Sequence, residues 1–195
     1  MLVPRGDADF DLYPYKPSTV AGWIFLVLFA AGGLVHLCIM GIYRSWSFIP
    51  FLLGCAGEAA GYWARTESHK NIRRGGPYLI QLMLILASAP LLSATIYMTL
   101  GRVIRALDAV ELAFLSPRWT TKIYVVIDIA SFVCQMMGSA MQSSGDPAGV
   151  KLGNTIVIAG LGVQLGAFAI FIINTVIVHR RLRGLFAASF DWRNL

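Results

Sequence analysis

Charged side chains are scarce in this chain. Only 13% of its 195 residues are Asp, Glu, Lys or Arg, about half the share of ordinary soluble domains. Hydrophobic residues make up 57% and the mean hydropathy is +0.67, more apolar surface than one soluble core can hide. That balance excludes intrinsic disorder and collagen-like repeats, and three cysteines are too few for a secreted disulfide scaffold. Cys38, Cys55 and Cys134 all fall inside apolar runs, where thiols serve as small hydrophobes. No Asn-x-Ser/Thr sequon occurs, and the opening MLVPRGDADFDLYPYKP lacks the n-region and h-region of a cleaved signal peptide. His36, His69 and His179 give no paired metal-ligand spacing. Neither a Gly-x-Ser-x-Gly elbow nor a phosphate-cradling glycine loop with lysine is present. The expectation is an integral membrane protein that is not an enzyme and carries no cofactor or metal.

Long apolar runs are what the chain has. Stretches long enough to cross a bilayer lie at about 18–42, 47–64, 78–100, 123–142 and 152–178. The first, third and fifth are strong. The second is short and contains Pro50 and Glu58; the fourth carries Asp128. Backbone groups in lipid must bond within the segment, so these runs are read as helices. The fold class is therefore all-α, a polytopic helical membrane protein with five transmembrane helices in one domain.

The formal charge of +6 sits between the apolar runs, not in one patch, so it reads as topology and headgroup contact, not as nucleic-acid binding. Arg5, Lys16, Arg65, Lys70, Arg73, Arg74 and Lys151 fall on the N-terminal side. Arg44, Arg102, Arg105, Arg118, Lys122, Arg180, Arg181, Arg183 and Arg193 fall on the other. Nine against seven predicts an external tail over 1–17 and a basic cytoplasmic tail over 179–195.

An ionisable group inside a span costs about 2.5–3.5 kcal/mol on insertion scales and so faces protein or water. Glu58 and Asp128 are the two acids within spans. Asp128, Ser131, Gln135, Ser139 and Gln142 fall on one helical stripe, and Gln81, Ser88 and Thr95 recur every seven residues on another. Glu58, Tyr62 and Arg65 share a face of the second span; His36 lies in the first and Gln164 and Asn174 in the fifth. A rise of about 1.5 Å per residue puts Glu58, Ser88, Gln135 and Gln164 near the midplane, with His36 and Asp128 together toward one side. Glu58 is expected to pair an internal donor such as Gln135, and His36 to meet Asp128 if the first and fourth spans pack. Structural packing, a substrate path and a proton relay all remain open for this set. Gly57/Gly61 and Gly162/Gly166 are read as close-packing GxxxG pairs. Pro90 is read as a kink that frees the Leu86 carbonyl.

A series of short motifs runs along the chain. It comprises Tyr15-Lys16-Pro17-Ser18, His36, Glu58-Ala59-Ala60-Gly61-Tyr62-Trp63-Ala64-Arg65, Pro77-Tyr78-Leu79-Ile80-Gln81 and Ala89-Pro90. It continues with Ala94 to Tyr97, Gly101-Arg102, Asp128-Ile129-Ala130-Ser131, Gln135, Gly138 and Gly160-Leu161-Gly162-Val163-Gln164. In this order and spacing the sequence resembles the fungal lipid-translocating exporter family, called RTA-like after resistance to aminocholesterol, from about Tyr13 to Trp192. Family members have seven spans, so the resemblance implies the first five helices of a seven-helix bundle and a C-terminally truncated member. The Gly-rich tract after Gln135 is diluted here to Gly138-Ser139-Ala140.

The resemblance implies a plasma-membrane protein with an external N-terminus. It further implies export or flipping of sphingoid long-chain bases or related amphiphiles, and a part in stress and drug resistance. Membrane lipids or an amphiphilic substrate are the implied partners, with a homo-oligomer or a missing-helix partner covering the open face. Two other readings compete: a receptor-like seven-helix sensor, and an inactive fragment.

Overall fold

The computed structural model describes residues 16–112, 116–142 and 146–189. Residues 1–15 and 190–195, which hold most of the N-terminal tail and Arg193, lie outside the described residues. Five long helices account for nearly all of it: α1 (Thr19–Tyr43), α2 (Ile49–Ser68), α3 (Gly75–Ala106), α4 (Pro117–Gln142) and α5 (Pro147–Ser189). Two single turns of 3-10 helix, Trp46–Phe48 and Val110–Leu112, sit in the connections, and no β-strand occurs among the described residues.

The helix ends follow local chemistry. Ser18 Oγ accepts the Ala21 N–H at 3.3 Å and caps α1. Arg44 ends the same helix in the left-handed region (φ 50°), with its N–H returned to the Met40 carbonyl. Proline stands in the first turn of α2, at the start of α4 and at the start of α5, where its missing N–H costs nothing. The helix α3 continues through Pro90 from Gly75 to Ala106. From His179 the basic segment continues α5 as helix to Ser189.

Each helix packs antiparallel on its neighbours in sequence, in a row from α1 to α5. His69 Nδ1 donates to the Pro17 carbonyl at 2.8 Å where α2 ends beside the start of α1, and the His36 ring lies 4.3 Å from that of Phe51 at the opposite end. The motif residues Pro17 and Ser18 thus fasten and cap the first helical hairpin. The Arg102 guanidinium donates to Ser47 Oγ, tying the end of α3 to the α1–α2 connection.

The row turns its apolar side chains outward. Val20, Ile158 and Leu165 are each about 70% exposed, an arrangement suited to hydrocarbon and not to water. By length and composition α1, α3, α4 and α5 can each cross a membrane. The polar groups Glu58, Gln81, Ser88, Thr95, Asp128, Ser131, Gln135 and Ser139 are buried instead. The chain is an all-α polytopic membrane protein with an inverted distribution of polarity.

Candidate functional site

The polar stripe of α4 faces its neighbours. Gln135 Nε2 donates to Gln164 Oε1 at 3.0 Å, joining α4 to α5. This contact needs backbones close together, and glycines supply the room. A Cβ on Gly160 would stand 2.9 Å from Gln135 Cγ, and one on Gly138 would stand 2.7 Å from the Gly153 carbonyl oxygen. Tyr78 Oη donates to Gln142 Oε1 at a long 3.5 Å across α3 and α4.

Several hydroxyls expected along a path are satisfied by their own helices. Ser88 Oγ donates to the Leu84 carbonyl at 2.6 Å, and Ser139 Oγ to that of Gln135 at 2.7 Å. Ser88 also fills the space over Gly57, so its observed contacts are those of helix packing. Gly61 likewise lets Ile85 approach, whereas a Cβ on Gly162 or Gly166 would meet nothing. Of the two GxxxG pairs, only Gly57/Gly61 packs helices together here.

A different set lacks partners. Gln81 Oε1, Tyr97 Oη, both carboxylate oxygens of Asp128, and Gln135 Oε1 are buried without a hydrogen bond. Gln81 and Tyr97 lie on α3 and Asp128 and Gln135 on α4, with the Gln135 amide turned toward α5 through Gln164. From Gln81 to Tyr97 the seam between α3 and α4 runs sixteen residues, about 24 Å along the axis. The Tyr97 hydroxyl reaches toward the Asp128 carboxyl closely enough for each to act on the other, though no contact there meets full hydrogen-bond geometry. Both residues are 1% exposed.

Beside Asp128 a layer of rings closes the seam. Tyr97 lies 5.3 Å from Tyr124 and 4.6 Å from Phe171, the latter edge-on, and Tyr124 meets Phe171 at 5.4 Å and 80°. Such pairs contribute about 0.5–1.5 kcal/mol each beyond burial. Asn174 Nδ2 donates to Tyr124 Oη at 3.3 Å. On the far side of this layer from Asp128, a cavity of about 140 Å³ opens between α3, α4 and α5.

The remaining candidates sit apart from the seam. His36 Nδ1 donates to the Gly32 carbonyl at 2.9 Å and the ring packs on Phe51 and Phe48, so His36 and Asp128 do not meet. Tyr62 stacks on Phe25 and Phe29 of α1 at 5.0 and 5.9 Å. Glu58 is buried on α2, on the flank between the Gly54–Gly61 line against α3 and the Cys55–Tyr62 line against α1. It does not pair Gln135, whose amide is already given to Gln164. Arg65 is half-buried near the end of α2, and Ser131 is buried on α4 beside the seam. Among the described residues no cluster of His, Cys, Asp or Glu could hold a metal ion.

Tyr97 stood in the motif series without a role, and Tyr124 and Phe171 went unread in the sequence, because a ring in an apolar run looks like any core residue. The signal was present: Tyr124 lies one turn before Asp128 on the same stripe, and Phe171 lies seven residues after Gln164.

Comparison with known proteins follows the same residues. A family model described as "RTA1 like protein" matches residues 51–195. The chain is 33% identical over 193 residues to Protein RTA1 of Saccharomyces cerevisiae, covering 86% of this chain and 60% of that protein. It is 33% identical over 215 residues to Protoporphyrin uptake protein 1 of the same yeast, covering 90% and 70%. Similarity to the Sphingoid long-chain base transporter RSB1 of S. cerevisiae strain Lalvin EC1118 is 28% over 142 residues, covering 71% and 37%. No solved structure matches. The chain thus spans between about a third and about two thirds of the length of these relatives. With a buried polar seam inside a row of apolar helices and a family match over most of its length, the chain belongs to the RTA1-like family of integral membrane proteins.

Proposed function

We propose that this protein moves sphingoid long-chain bases or related amphiphiles from one bilayer leaflet to the other, or out of the cell, along the α3–α4 seam. The observation that carries this reading is the set of buried, unpartnered polar atoms on Gln81, Tyr97, Asp128 and Gln135. An unmade hydrogen bond at such depth costs roughly 1–3 kcal/mol, a cost that a passing headgroup or water offsets. Relatives named as a long-chain base transporter and an uptake protein support the same class of activity.

All five helices cross the membrane in this proposal. The helix α2 is not among those that qualify as spans by length and composition, yet it lies alongside α1 from His69 at Pro17 to Phe51 at His36. A partner that follows α1 over that length shares its depth. Five crossings leave the two ends on opposite sides, and the nine-against-seven Lys and Arg count favours an external N-terminus and a cytoplasmic end of α5, with the plasma membrane as the preferred location. Gln81, Asp128, Ser131, Gln135 and Gln164 then form the route, with Ser88 as packing. Glu58, Tyr62, Arg65 and His36 belong to the α1–α2 side.

Reconstitution tests the reading. Vesicles containing the purified chain should move a labelled long-chain base between leaflets faster than empty vesicles, and Asp128→Asn should reduce that rate. Equal rates with and without protein would remove the translocation reading.

A further inference from the structure

The cavity between α3, α4 and α5 has an unusual wall. The rings of Tyr97, Tyr124 and Phe171 line it, with the Asn174 amide at its side. The cluster of Ile104, Ala109 and Val178 closes the end away from the ring layer. No Lys, Arg, Asp or Glu lines it. Tyr97 stands between the cavity and Asp128: its ring faces the space, and its hydroxyl reaches toward the carboxylate. Ile123 also lines the cavity and is 41% exposed on the outer face of the row, so the space communicates with the surroundings of the bundle.

We propose that this cavity binds the ammonium headgroup of a single-chain amphiphile, with Tyr97, Tyr124 and Phe171 as an aromatic wall and Asp128 as the charge behind it. Ring faces attract an ammonium through their quadrupoles, more strongly once it is desolvated. Asp128 is the acid buried among α3, α4 and α5, and the Tyr97 hydroxyl is the donor that reaches toward it. An ammonium arriving in the cavity favours the charged form of this carboxyl, and in a medium of low dielectric their attraction reaches past one ring. The cationic side chains of the three helices do not line the space, which leaves an anionic headgroup without a partner there. About 140 Å³ is close to the size of an engineered cavity that takes benzene. It accepts a headgroup and a few methylenes, while the tail leaves past Ile123 into lipid. The inference rests on the translocation reading only for the reason such an amphiphile arrives; binding itself needs no transport.

The test uses the full chain in lipid nanodiscs. Dodecylamine, dodecanol and dodecyl sulfate are compared for protection of a Thr120→Cys label site on the cavity wall, with Cys38, Cys55 and Cys134 replaced by alanine. The amine should slow maleimide labelling at concentrations where the alcohol and the sulfate do not. Asp128→Asn should weaken amine protection about tenfold or more, Tyr97→Phe less because the ring remains, and Asp146→Asn on the exposed surface not at all. Equal protection by alcohol or sulfate, or an Asp128→Asn chain that binds amine as the unmodified chain does, overturns the assignment. If Asp128→Asn fails to fold, the preference for amine over alcohol in the otherwise native chain decides. Flux without amine preference removes this site and keeps translocation; amine preference without flux does the reverse.

Discussion

Gln135 shows how the polar residues of this protein divide their work. Its amide nitrogen is committed to Gln164, while its carbonyl oxygen is buried and unpartnered. Inter-helix hydrogen bonds in membranes contribute about 0.6 kcal/mol on average and up to about 1.7. Gln135→Leu should therefore cost stability in that range, read from denaturation in mixed micelles, and should impair transport more than that loss accounts for. Glycines set a sharper contrast. A Cβ on Gly138 meets backbone oxygen at 2.7 Å, and one on Gly162 meets nothing. Gly138→Ala should thus destabilise by about 1–3 kcal/mol through overpacking, and Gly162→Ala should be nearly silent in the same denaturation. The Gly162/Gly166 pair looks like a packing motif in sequence, yet spacing alone does not say which face of a helix meets a neighbour. Glu58→Gln, at a buried acid away from the seam, should fold and leave flux unchanged; lost flux in a folded protein would bring α2 into the route.

Among the elements, α2 is the one whose composition and placement disagree. Its glycines at 54, 57 and 61 bring it against Leu92, Ser88 and Ile85 of α3, and its aromatic Tyr62 holds α1. Packing on two sides replaces the hydropathy that the segment lacks. Gly61→Leu, which drives a branched side chain into Ile85, should loosen α2 from α3, and a Ser88→Cys thiol in that interface, with the three native cysteines replaced, should then become reactive to membrane-permeant thiol reagents. The positions of the helices were legible from apolar runs. Their lengths were not: α3 and α5 continue into polar sequence because turns already formed propagate at little cost, so hydropathy underestimates them. Which helices meet was also hidden. Depth placed His36 with Asp128 and Glu58 with Gln135, but the row keeps α1 and α2 on one flank and the seam on the other.

For the molecule as a whole, the antiparallel row fixes which connections share a side. Asn71, between α2 and α3, and Asp146, before α5, should lie together; Arg44 and Asp108 should lie opposite. Single cysteines at these four positions, probed with an impermeant maleimide on sealed cells, should label as two pairs. Residues 71 and 146 are expected on the outside. Labelling of 44 together with 71 would mean that α2 does not cross, and five crossings would become four. The fold class was readable from composition because lipid reverses the usual rule for where apolar surface goes. The seam's inner boundary was not, since it depends on rings contributed by three separate helices.

That boundary has an electrical meaning. Tyr97, Tyr124 and Phe171 interlock with centroids about 5 Å apart, an apolar layer across the three helices. Hydrated ions stall at such an insulator, while a molecule that brings its own oil can wedge the rings apart. In the proposed translocation route, one sheet of side chains would thereby separate ion leakage from the passage of an amphiphile.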